Sequence, residues 1–134
     1  MGRAGQVSME YLMVVAIAAM LIIPLIGIFF QASSDLDQSI QSSQADRVAN
    51  EIVDAADEVY YLGPPAKKTL KVYLPDSVKS LTIGVNYLQI DVHGAVGAPR
   101  FSAGNLSGSI QPTGGLHVIA VYATTDGVLI SENG

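Results

Sequence analysis

The sequence predicts an α+β protein: one long N-terminal helix, apolar and then amphipathic, packed against a small C-terminal antiparallel β-sheet domain. Three observations lead there. An uncharged apolar run fills Leu12 to Phe30. Beyond it apolar residues recur at three- and four-residue spacing up to Gly63-Pro64-Pro65. After Pro65 the alternation drops to a period of two. The 134 residues then divide into a leader at 1–5, a helix at 6–62 whose part 11–30 is apolar, and a sheet domain at 63–134.

The first element is set by length. Tyr11 to Phe30, at about 1.5 Å per residue, matches the roughly 30 Å hydrocarbon core of a bilayer. Arg3 is the only base ahead of it, which places the N-terminus in the cytoplasm and the rest outside. Ala32 and Ser34 offer a site for conventional signal cleavage, and an uncleaved anchor is the other alternative. The length of the run and Glu10 at its entrance speak against a conventional signal peptide.

The helix continues through Leu36, Ile40, Gln44, Val48, Ile52, Ala55/Ala56, Val59 and Leu62, one stripe on a 3.6-residue repeat. Gly63-Pro64-Pro65 stops it. The expected helix, about Ser8 to Leu62, is on the order of 80 Å if continuous. Pro24 and Gly27 predict a kink or a loosened stretch from Met20 to Gly27. A break at Ser33-Ser34 with a restart at Asp35 and Asp37 is the other reading.

Leu70, Val72 and Leu74 alternate with Thr69, Lys71 and Tyr73, and Pro75-Asp76-Ser77 turns the chain. Leu81 and Ile83 lead to a turn at Gly84-Val85-Asn86, and Leu88, Ile90 and Val92 form the next strand. Leu116 to Ala123, apolar on both faces, predicts a central strand; Thr125-Asp126-Gly127 predicts a hairpin into Val128 to Ser131. Glycine and proline interrupt His93 to Gly115, leaving short strand fragments near Arg100 to Ser102 and Ser107 to Gln111. In all, four to six antiparallel strands are expected on the helix.

Charge excludes several functions. Between Gln31 and Leu62 stand Asp35, Asp37, Asp46, Glu51, Asp54, Asp57 and Glu58 against Arg47 alone; from Lys67 onward acids and bases nearly balance. No basic patch suited to nucleic acid is present. The acidic helix is either a solvated face or a partner for Lys67, Lys68 and Lys71 of a neighbouring subunit. There is no cysteine, and His93 and His117 lack carboxylates at ligand spacing, so no metal or cofactor is expected. Gly94-Ala95-Val96-Gly97 lacks the Lys-Ser/Thr ending of a phosphate loop, and no serine has a nucleophile-elbow setting. An enzyme is not expected. Asn105-Leu106-Ser107 is an N-glycosylation sequon in the glycine-rich stretch, with Asn105 the acceptor.

Gly5, then Gln6-Val7-Ser8-Met9-Glu10-Tyr11 and the apolar helix, resembles the class III signal peptide of archaeal type IV pilin-like proteins. The match covers 25 to 30 residues, about the first fifth of the chain. Bacterial type IV pilins usually place an aromatic residue after the cleavage site and archaellins carry a different motif, so Gln6 favours the archaeal pilus branch. The resemblance implies cleavage between Gly5 and Gln6 by a prepilin-type peptidase and retention of the helix. It further implies polymerisation with copies of itself by a pilus machinery of platform protein and ATPase, first in the cell membrane and then as an extracellular, glycosylated adhesion filament.

The residues make independent sense of that order. Cleavage would leave an ammonium at Gln6 one turn from Glu10, at the i, i+4 separation where side groups meet. A carboxylate near the apolar zone costs on the order of 2–3 kcal/mol, which such pairing, in the same or a neighbouring subunit, relieves. Ser8 and Tyr11 suit hydrogen bonding at the interface level, so Glu10, Ser8 and Tyr11 are the expected docking residues. The competing functional expectation is a singly anchored surface protein whose sheet domain binds a ligand, with a minor or priming pilin between the two.

Overall fold

The computed structural model describes residues 2–132; Met1 of the expected leader, and Asn133 and Gly134 of the expected sheet domain, lie outside the described residues. One helix, α1 (Gly2–Leu62), is followed by β1 (Lys67–Leu74), β2 (Val78–Ile83), β3 (Tyr87–Val92), β4 (Arg100–Phe101), β5 (Leu106–Ser109), β6 (Gly115–Ala123) and β7 (Val128–Glu132). The chain forms two compact units, Met1–Asp37 and Gln38–Gly134. The architecture is the α+β arrangement expected, a long N-terminal helix whose C-terminal part packs on a small sheet domain.

Helix α1 starts at Gly2, several residues before the expected start, and its helical backbone passes through both Pro24 and Ser33-Ser34. The chain does not break at the serines. Pro24 has no N–H, so the Met20 carbonyl has no i+4 donor at the expected soft spot. The helix ends because Gly63 takes φ +72°, a left-handed conformation, and donates to the carbonyls of Val59 (3.1 Å) and Tyr60 (3.2 Å).

In the second unit the buried face of α1 is Ala45, Val48, Ala49, Ile52, Val53, Ala55, Ala56 and Val59. This corrects the expected stripe at both ends, where Leu36, Ile40 and Gln44 on one side and Leu62 on the other are exposed. Carried back one turn from Ala45, the stripe reaches Gln41 and Ser42, so Ile40 points away from the sheets. Small alanines at every turn let the sheets approach the helix backbone, while Ile52 and Val59 fill the remaining space. Asp57 fastens the helix to the loop after β4: its Oδ1 accepts from the Ser102 hydroxyl (2.6 Å) and the Ala103 N–H (2.9 Å).

Seven strands in two sheets, rather than one sheet of the four to six expected, cover that face. The first has the order β1-β6-β7-β5 and the second β2-β3-β4. All pairs are antiparallel except β5 with β7, which is parallel and was not foreseen. The chain reaches β5 through the glycine-rich loop and then crosses by way of β6, so β5 and β7 run the same way. Gly108 makes the pairing possible, since a Cβ there would lie 1.8 Å from the Ile130 carbonyl oxygen. Strand β6 is central, as expected, between β1 and β7. Its two faces are not both buried: His117, Ile119 and Val121 face the core with Leu70, Val72 and Ile130, whereas Leu116 is exposed.

Two carboxylates pin loops to the sheets. Asp91 accepts from Gln89 Nε2 (2.8 Å), the Gly97 N–H (2.9 Å) and Ser80 Oγ (3.0 Å), and these donors, Gln89 foremost, hold its pKa below the usual carboxylate range. Glu132 accepts from the Gln111 N–H (2.8 Å) and contacts His117 Nδ1, and those two contacts, the Gln111 N–H foremost, lower its pKa against the opposing effect of burial. A carboxylate whose pKa is depressed by folding stabilises the fold above its unfolded pKa, about 3.9 for Asp and 4.3 for Glu. That contribution is lost as pH falls through the lower folded value. Asp91→Ala should therefore be less stable than the parent at pH 7, with the gap narrowing as pH falls below the unfolded value of about 3.9. Thermal unfolding of both proteins in detergent at pH 7 and below that value checks this.

Candidate assembly helix

Every residue from Arg3 to Asp37 is exposed. Between Tyr11 and Phe30 this includes fifteen large apolar side chains. Phe29 and Phe30 touch only edge to face, with centroids 6.2 Å apart. Burying one such side chain is worth roughly 1.5–3 kcal/mol relative to water. Fifteen together make a water-exposed monomer untenable, so lipid or other protein must cover this surface. The helix is long and apolar enough to cross a membrane.

The hexapeptide lies wholly on α1, so its spacing becomes geometry. Gln6 and Glu10 are one turn apart and about 40° apart around the axis. Ser8 and Tyr11 lie about 60° from each other on the opposite side. The expected docking residues therefore divide: Glu10 shares a face with Gln6, while Ser8 and Tyr11 share another. Among the described residues, no hydrogen bond or ion pair links the Glu10 or Arg3 side chain to another part of the chain. Gly5 stands in open space with nothing within 4 Å of where a Cβ would be, and Gly27 likewise.

Asn105 is exposed just ahead of β5. Its carbonyl accepts from the Val128 N–H (2.7 Å), and the Ser107 hydroxyl of the same sequon donates to the Val128 carbonyl (3.2 Å). The neighbouring Leu106 is buried, so the strand fixes the backbone while the Asn105 amide faces solvent.

The two histidines stand apart in role. His93 is exposed, whereas His117 is 6% exposed and held between the Glu132 carboxylate and the Thr113 carbonyl, 2.7 Å from Nε2. That link ties the loop before β6 to the end of β7. The spacing along the chain does not show this link, because only strand register brings Glu132 beside His117. No group of three potential metal-ligating side chains occurs among the described residues. No protein-family model, curated protein or solved structure matches this chain.

Proposed function

We propose that this chain is the structural subunit of a type IV pilus-like filament of the archaeal kind. It would be stored in the membrane, trimmed between Gly5 and Gln6, and polymerised through α1. The observation that carries the reading is the exposed helix from Arg3 to Asp37, apolar on all sides from Leu12 to Phe30, with Glu10 at its entrance and without an ion-pair partner among the described residues.

Lipid satisfies the apolar surface before assembly, and neighbouring copies satisfy it afterwards. Glu10 then has a function that a simple anchor does not require. In a bundle of apolar helices a lone carboxylate is tolerated only beside a positive group, and the ammonium freed at Gln6 supplies one. Open space around Gly5 suits access by a peptidase.

Replacing Gly5 with a bulky residue tests the processing step. Gly5→Leu should accumulate as uncut precursor in the membrane fraction, and sheared cell surfaces should yield no filaments. Filaments from unprocessed Gly5→Leu would refute the proposed order. A parent protein that remained a detergent-soluble monomer, with no filaments, would favour a singly anchored binding protein.

A further inference from the structure

The outer face of the four-stranded sheet leaves Lys67, Lys71, Tyr73, Leu116 and Leu129 exposed, with Ala120 buried among them. Register places four cross-strand pairs there: Lys67 opposite Tyr122, Thr69 opposite Ala120, Lys71 opposite Val118, and Tyr73 opposite Leu116. Tyr73 is 61% exposed and Leu116 65%. Lys67 Nζ sits 4.8 Å from the centre of the Tyr122 ring. The outward residues of β7 and β5 are Leu129 and serines, so the face carries two lysines and no carboxylate. A solvated face of an antiparallel sheet is normally polar; this one is apolar and positive.

The opposite charge lies on α1. In the second unit Asp46 meets Arg100, Asp57 meets the Ser102 loop and Glu58 meets Lys68. Glu51 and Asp54 are exposed and, among the described residues, have no ion pair. The second unit thus holds two exposed acids on its helix and two exposed lysines on a sheet face that form no ion pair among the described residues.

We infer that the outer β1–β6 face of one copy seats the Glu51–Asp54 side of α1 from a second copy. Lys67 and Lys71 meet the two carboxylates, and the helix covers Tyr73 and Leu116. The lysines lie about 13 Å apart along the strand and the acids about 4.5 Å apart along the helix. Flexible four-carbon stems close that difference. The partner surface is not a second β1, because edge-to-edge pairing would bring Lys67, Lys68 and Lys71 of both copies together. Complementary patches at different places on one chain make a heterologous contact, which propagates as an open helix unless its rotation closes a ring. The inference rests on the filament reading above and gives it a lateral contact outside the membrane helix.

The absence of cysteine makes a clean cross-linking test possible. Filaments of the Glu51→Cys/Lys71→Cys double variant should give a ladder of disulfide-linked oligomers on oxidation, and each single variant should stay monomeric. Independently, Lys67→Glu/Lys71→Glu should lower filament yield about tenfold, as expected for two exposed pairs turned repulsive. Adding Glu51→Lys/Asp54→Lys to the same chain should restore it. Filaments that form normally but give neither ladder nor rescue would overturn this contact and leave the filament reading intact. Absence of filaments from the parent protein would overturn both.

Discussion

Glu10→Ala is expected to be cut normally after Gly5 yet to lower filament yield by about two orders of magnitude. The size follows from breaking a buried ion pair on one side only, which costs roughly 3–5 kcal/mol because the other charge is left without a partner. In the membrane the same substitution removes a costly carboxylate, so insertion should not suffer. The predicted phenotype is therefore specific: processed protein accumulates in the membrane and little is sheared from the surface. Glu10→Gln should behave alike, since an amide cannot neutralise the ammonium. Quantifying processed subunit in membrane and sheared fractions by immunoblot checks it. Fibre yield equal to the parent would remove Glu10 from docking.

Ile52→Ala should destabilise the second unit by about 3–4 kcal/mol, the usual cost of emptying a fully buried aliphatic site. Ile52 is 0% exposed and lies at the centre of the face that α1 presents to both sheets. For a unit of this size, that loss lowers the unfolding midpoint by more than about 10 °C. Glu51→Ala, one residue away but exposed, should change stability by no more than about 0.5 kcal/mol. Thermal unfolding of the three proteins followed by circular dichroism in detergent makes the comparison. A loss below about 1 kcal/mol for Ile52→Ala would contradict the assigned core.

Local patterns carried most of the fold. The alternation of Leu70, Val72 and Leu74 gave β1 with its inner face correctly assigned, because strand period and burial coincide there. Gly63-Pro64-Pro65 marked the helix end because proline and a left-handed glycine act locally. The division into two sheets and the parallel β5–β7 pair were not readable, since both depend on where a glycine-rich connection brings four residues in space. The helix stripe was misphased near Ile40 because Gln41 and Ser42 hold the inward positions there and do not read as apolar.

For the assembly helix, sequence showed the composition, and the structure added which residues share a face. Gln6 and Glu10 keep the relation inferred from their spacing, whereas Ser8 and Tyr11 fall on the far side. The acidic excess of α1 was visible in the sequence. Which acids of the sheet-packed part of α1 are already engaged within the second unit, leaving Glu51 and Asp54 there, emerged only from the fold.

The proposed trimming and retention of the helix can be examined by intact-mass spectrometry of protein sheared from native cell surfaces. The account predicts a polypeptide that begins at Gln6 and still contains Tyr11 to Phe30. A mass that includes Met1 to Gly5, or one that begins at Asp35 with the apolar helix gone, would contradict it.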